Sequence, residues 1–195
     1  MKTTCFAMAI LAMLAVSPAV DAATIVNGDF EAAPLWTGWN YYGVHKQSNN
    51  ATDHLVALNP LSSGDSGYIT QTIATVAGQQ YELLFDLNAT AWKQNYDWAM
   101  AIVIDGGSPT IFHVNTGTYS GTQQTPKTQQ SLLFTATGAS TELRVEGRQG
   151  LDTYGFYGAM VDNFSLTEVD IPEPATMSLL AVGGVAALIR RRKMT

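Results

Sequence analysis

The chain is poor in three things, and each shortage narrows the reading. It has a single cysteine in 195 residues, Cys5, so an intrachain disulfide and any paired-cysteine chemistry are excluded. It is short of cations. Between Ala23 and Asp170 there are five Lys/Arg (Lys46, Lys93, Lys127, Arg144, Arg148) against fourteen Asp/Glu, a net charge of −9. Nucleic acid and anionic lipid both need clustered cations, so this balance argues against either as a partner. Sustained helical periodicity is missing from the same region. The three histidines, His45, His54 and His113, show no HxxxH or HxH spacing, which argues against zinc. Neither a nucleophile elbow nor a phosphate-cradling glycine loop is found.

Long apolar runs occur only at the two ends. Lys2 precedes an uncharged stretch over 6–16, FAMAILAMLAV. Ser17-Pro18 breaks that stretch, and Val20-Asp21-Ala22 places small residues at a cleavage position. Residues 1–22 read as a secretory signal peptide, cut after Ala22. Cys5 lies before the apolar core, not at a lipid-acceptor position, and leaves with the signal.

At the other end, Pro172-Glu173-Pro174 leads into an uncharged run over 175–189, followed by Arg190-Arg191-Arg192-Lys193. A fifteen-residue helix spans roughly 22 Å, short of a hydrocarbon core of about 30 Å. Gly183-Gly184 weakens it further, by about 1 kcal/mol per glycine. Such a segment suits transient insertion better than permanent anchoring. The basic cluster stays on the cytoplasmic side, which puts everything before Pro172 across the membrane. The prolines hold an extended, accessible segment where a protease can reach it. This order of parts over 171–195 resembles the PEP-CTERM sorting signal of Gram-negative bacteria. The resemblance implies an exosortase, a membrane-embedded cysteine protease, that recognises and removes the tail. It also implies passage through the inner membrane to the cell surface or the exopolysaccharide matrix.

The region 23–170, about 150 residues, suits one domain with a core of its own. It reads as all-β. Over 68–74, Ile69 and Ile73 alternate with Thr70 and Thr72. Over 81–91, Tyr81, Leu83, Phe85, Leu87 and Ala89 share one face. The run 98–104 is apolar on both faces and is expected inside a sheet. Asp105-Gly106-Gly107 ends it in a hairpin-like turn. Further strands are expected over 25–26, 39–44, 54–58, 111–114, 130–136, 142–147 and 159–168. Nine or ten strands with glycine-rich turns predict a two-sheet sandwich.

Val26-Asn27-Gly28-Asp29-Phe30-Glu31 followed by Gly38-Trp39 resembles the opening of galactose-binding-like jelly rolls, the fold of many carbohydrate-binding modules. The hairpin over 67–85 and Val161-Asp162-Asn163-Phe164-Ser165-Leu166 resemble their middle and closing strands. The resemblance implies a jelly-roll sandwich in which Phe30 and Trp39 pack in the core. It also implies that first and last strands lie side by side, where relatives often hold a structural Ca²⁺. Glu31 and Asp162 are the positions matching that pattern, with Asp29 a lesser candidate.

Sugar rings stack on exposed aromatic faces while polar groups read their hydroxyls. Trp36, Trp39, Tyr41 and Tyr42 cluster near one end of the domain. Trp98 opens a buried strand and is expected in the core. Trp92, Tyr96, Tyr154 and Tyr157 fall in expected loops and are the better carbohydrate contacts, with Arg148 and Asp152 beside them for hydroxyls. A glycosidase needs two carboxylates about 5–10 Å apart across a cleft. Asp86, Asp97, Glu142 and Glu146 are the acids to check, and no catalytic residue is assigned. The expectation is a secreted, non-enzymatic matrix or envelope protein that binds polysaccharide weakly. A purely structural protein without ligand, and a polysaccharide-active enzyme, are the alternatives.

Overall fold

The computed structural model describes residues 23–50, 53–58, 67–90, 94–119, 121, 123–148 and 158–169. The expected signal peptide and sorting tail lie outside them. Among the described residues ten strands follow one another: β1 (Asn40–Tyr42), β2 (His45–Asn50), β3 (Asp53–Ala57), β4 (Tyr68–Ala74), β5 (Gln80–Ala89), β6 (Asp97–Ile104), β7 (Thr110–Asn115), β8 (Thr128–Thr135), β9 (Ser140–Arg148) and β10 (Ala159–Val169). They form two five-stranded antiparallel sheets. The first runs β1-β4-β9-β6-β7 and the second β2-β3-β10-β5-β8.

Alternation in the sequence decides which side of each strand is buried. In β5, Tyr81, Leu83, Phe85 and Leu87 are fully buried, facing Ile69, Ile73, Trp98, Met100, Ile102, Leu143 and Val145 of the first sheet. Aromatic contacts carry this core from the N-terminal turn into both sheets. Phe30 meets Trp39 at 5.5 Å and Phe164 at 6.2 Å between ring centroids; Phe164 meets Phe85 at 5.4 Å, and Phe85 meets Phe112 at 5.0 Å. Phe30, Trp39 and Trp98 are all buried core residues.

Two turns follow directly from local chemistry. Asp105 and Gly106 both have positive φ, and Gly107 N–H donates to the Ile104 carbonyl at 2.8 Å, the geometry that an Asp-Gly pair supplies to a hairpin. A bulge interrupts β10: Asp162 opposes Asp86, but Ser165 opposes Leu84. The extra residue reverses the inward face after Asp162. Asn163 takes φ of 52° there, and Phe164 turns into the core.

Two expectations about strands need correction. Residues 25–26 are not a strand; Val26 enters a turn. Its backbone is satisfied by a side chain instead. Gln71 Oε1 accepts from Val26 N–H at 2.8 Å, and Gln71 Nε2 donates to the Val26 carbonyl at 3.0 Å. The N-terminal turn nonetheless lies against the last strand, because Phe164 N–H donates to the Gly28 carbonyl at 2.9 Å. Conversely β2, His45-Lys46-Gln47-Ser48-Asn49-Asn50, is a strand that hydrophobic patterning misses. It lies at a sheet edge and carries no apolar residue.

Candidate carbohydrate-binding surface

The outer face of the first sheet carries a row of aromatic and charged side chains. Tyr42, Tyr68 and Glu146 are register partners across β1, β4 and β9. They alternate with the buried Ile69 and Val145, so they face outward. The Tyr42 and Tyr68 rings are 5.8 Å apart, and the Arg144 guanidinium sits 3.6 Å above the Tyr68 ring centroid. Glu146 accepts from Arg144 Nε at 2.8 Å and also pairs with Arg148 Nη2. The arginines are thus fixed by one carboxylate, and Arg144 is further held by a cation–π contact. Tyr41 pairs instead with the buried Ile69, so it takes the opposite face at the β1 edge, where it stacks on Trp36 at 4.4 Å with 25° between their planes. Tyr41 is 52% exposed and Tyr42 49%.

Of the loop residues expected to touch sugar, Trp92, Asp152, Tyr154 and Tyr157 lie outside the described residues. Arg148 ends β9 and belongs to the Glu146 cluster. Tyr96 is only 8% exposed, with its ring 4.6 Å from that of Trp98. Its N–H donates to Thr116 Oγ1 at 2.8 Å. Its placement is that of a packing residue, with little of its face open to a sugar. Sequence reasoning missed Tyr68 and Arg144. The alternation over 68–74 does put Tyr68 on the outer face with Thr70 and Thr72. A cleft of about 300 Å³ also opens between the end of β7 and the segment before β8, bordered by His113, Asn115, Tyr119 and Thr128.

The acids considered for catalysis do not face one another in a groove. Asp86 belongs to β5 of the second sheet, whereas Asp97, Glu142 and Glu146 lie in the first. Asp97 Oδ2 is 2.8 Å from His113 Nδ1, and Glu146 is occupied by two arginines.

The residues matching a Ca²⁺ site are drawn to different partners. Glu31 Oε1 accepts from His54 N–H at 2.6 Å, and Oε2 lies 2.7 Å from His54 Nδ1. Asp29 Oδ1 accepts from Glu31 N–H at 3.3 Å. Asp162, with its side chain 2% exposed, accepts from Lys127 Nζ at 2.6 Å and from Asn163 N–H at 2.7 Å. Lys127 also donates to Asp53 Oδ1 at 2.7 Å. His54 and Asp53 are consecutive on β3, so their side chains take opposite faces. Glu31 and Asp162 therefore do not converge on one ion, and each already has a nitrogen partner. No group of three His, Cys, Asp or Glu suited to a metal occurs among the described residues. The donor set does not fit the expected Ca²⁺.

Burial pushes the Asp162 carboxyl up to about 6, against the pull of Lys127 and of the Asn163 N–H. For Lys127, burial pulls the pKa down, but the bonds to Asp162 and Asp53 outweigh it and raise the ammonium above its ordinary value. The two directions differ because the Asp162 side chain is 2% exposed and the Lys127 side chain 23%. Desolvation dominates at the first and attraction at the second.

With this geometry in place, the comparisons with known proteins divide the chain in two. Residues 170–193 match the PEP-CTERM protein-sorting motif. The chain carries that signal at its C-terminus, which marks an exported, surface-sorted protein and implies recognition by an exosortase. No curated protein matches the chain. Among solved structures, the GH26-CBM35 β-(1,4)-mannanase of Podospora anserina is 14% identical over 80% of this chain, with a TM-score of 0.50. This chain spans 29% of that protein, and the likeness shows the fold, a jelly-roll sandwich. A family 35 carbohydrate-binding module from Clostridium thermocellum is 17% identical over 69% of this chain and 95% of its own, with a TM-score of 0.45. The structure of TmCBM61 in complex with β-1,4-galactotriose is 16% identical over 76% of this chain and all of its own, also at 0.45.

Proposed function

We propose that the protein is a non-enzymatic component of the envelope or exopolysaccharide matrix that binds polysaccharide weakly through exposed aromatic side chains. The observation that carries this reading is the half-exposed Tyr42 beside Tyr68 on the outer face of β1 and β4, with the Arg144 guanidinium packed on the Tyr68 ring. Rings held by neighbours lose little freedom when a sugar stacks on them, so a shallow face suffices for weak binding. Guanidinium and carboxylate groups beside the rings suit hydroxyls. Trp92, Tyr154, Tyr157, Arg148 and Asp152 are further proposed sugar contacts. In this reading the tail inserts transiently in the inner membrane, an exosortase cuts near Pro172-Glu173-Pro174, and the sandwich stays outside.

Affinity electrophoresis of the secreted protein in the organism's own exopolysaccharide tests the proposal. Retarded migration that grows with polysaccharide concentration is expected. Unretarded migration at every concentration favours a structural protein without ligand.

A further inference from the structure

We infer that Lys127 is a built-in cation, its ammonium standing between Asp53 and Asp162 in place of the metal ion that this carboxylate pair would otherwise need.

The argument starts from the second sheet. Asp162 opposes Asp86 across β10 and β5, and Val161 opposes Val56 across β10 and β3. Val56 and Val161 belong to the main core. Asp53 and Asp162 therefore project from the other face of the sheet. On that same face, Leu55, Ala57 and Met160 form a separate buried cluster. Two carboxylates meeting beside a buried apolar cluster repel one another and cannot both stay ionised without a counter-charge. The chain supplies one. Lys127 immediately precedes β8, and its stem reaches past β5 to place Nζ 2.6 Å from Asp162 and 2.7 Å from Asp53.

The other oxygen of Asp162 is already served. Asp162 Oδ1 takes the Asn163 N–H at the bulge, and Asn163 Nδ2 donates to Asp86 Oδ2 at 2.8 Å. One ammonium thus ties the segment before β8 to β3 and β10, which neighbour each other in the sheet. A divalent ion in this place would require Lys127 to leave, since ammonium and metal compete for the same oxygens. A tethered cation also does not depend on the concentration of free ions outside the cell.

Thermal unfolding of the full secreted chain, in EDTA and in millimolar CaCl₂, tests the inference. The wild-type midpoint should be the same in both; a rise in CaCl₂ overturns it. Lys127→Ser should melt several degrees lower in EDTA and recover part of the loss in CaCl₂. No recovery, or failure to fold in either buffer, also overturns it, because the position would then not be one a free cation can fill. Lys127→Arg keeps the charge and should remain indifferent to CaCl₂; a calcium response from this variant counts against the inference too.

Discussion

Gln71 bonds to Val26 as a neighbouring strand would. Its amide oxygen takes the Val26 N–H at 2.8 Å and its amide nitrogen serves the Val26 carbonyl at 3.0 Å. Gln71 is a β4 residue, 4% exposed, on the face that otherwise carries Ile69 and Ile73. A polar side chain is tolerated there because both ends of its amide are matched. Gln71→Leu leaves two backbone groups of Val26 without their partner. The expected loss is about 1–3 kcal/mol, read as a lower urea midpoint. An unchanged midpoint would show that water replaces the amide at no cost.

Gly28 lies where the N-terminal turn touches β10. A Cβ built on it would fall 2.1 Å from the Phe164 carbonyl oxygen. The obstacle is backbone, so it cannot rotate away. Gly28→Ala should cost about 1–3 kcal/mol or more. Gly78 provides the contrast: it has φ of 81°, yet an added Cβ meets nothing within 4 Å. Gly78→Ala should cost only about 1–2 kcal/mol, the strain of a left-handed residue. Melting both variants checks the order, and a Gly78 variant less stable than the Gly28 variant contradicts it.

These positions show what the sequence exposes and what it hides. The alternation of Ile69 and Ile73 with Thr70 and Thr72 marks β4 to the residue, because one face is dry and the other wet. The apolar run 98–104 marks β6, which has strand neighbours on both sides. β2 escapes because it is an edge strand with no apolar residue to alternate. Ile25-Val26 reads as a strand because both residues are β-branched, but the ladder partner of Val26 is a side chain. Tyr96 reads as a loop aromatic, yet its N–H is tied to Thr116 and its ring folds onto Trp98. Lys127 is opaque to local pattern, since Asp53 and Asp162 lie 74 and 35 residues away. Only the strand register brings them together.

The polysaccharide reading makes a prediction at single rings. Tyr42 is half exposed, so Tyr42→Ala should shift stability by no more than about 0.5 kcal/mol. One aromatic contact is worth roughly 0.5–1.5 kcal/mol, so the variant's apparent affinity in polysaccharide gels should fall about 2- to 10-fold. Tyr41→Ala tests the Trp36 stack, on the opposite face of β1, in the same way. If neither substitution changes retardation while Trp92→Ala or Tyr154→Ala abolishes it, the binding face belongs to the loops.

The sorting signal predicts the covalent ends of the exported protein. Intact mass spectrometry should show a chain that starts at Ala23 and stops near Pro172–Pro174. Replacing Arg190, Arg191, Arg192 and Lys193 with glutamine removes the charge that fixes the tail's orientation, and unprocessed chains should accumulate in the membrane fraction. A secreted wild-type chain that still ends at Thr195 contradicts the exosortase reading.

Asp162 makes stability depend on pH in a stated direction. Burial raises its carboxyl from 3.8 to about 6 in the folded chain. The folded state therefore holds this proton more tightly than the unfolded state does. The resulting stabilisation is complete below about pH 4 and is lost as pH rises through about 6. Asp162→Asn has no such proton. The unfolding free energy of wild type minus that of the variant should thus be larger near pH 4 than near pH 7, by on the order of 1–3 kcal/mol. Urea unfolding at both values measures the difference directly. A gap that stays flat, or widens toward neutral pH, would mean that Lys127 compensates the buried charge in full, and that burial does not set the proton affinity of Asp162.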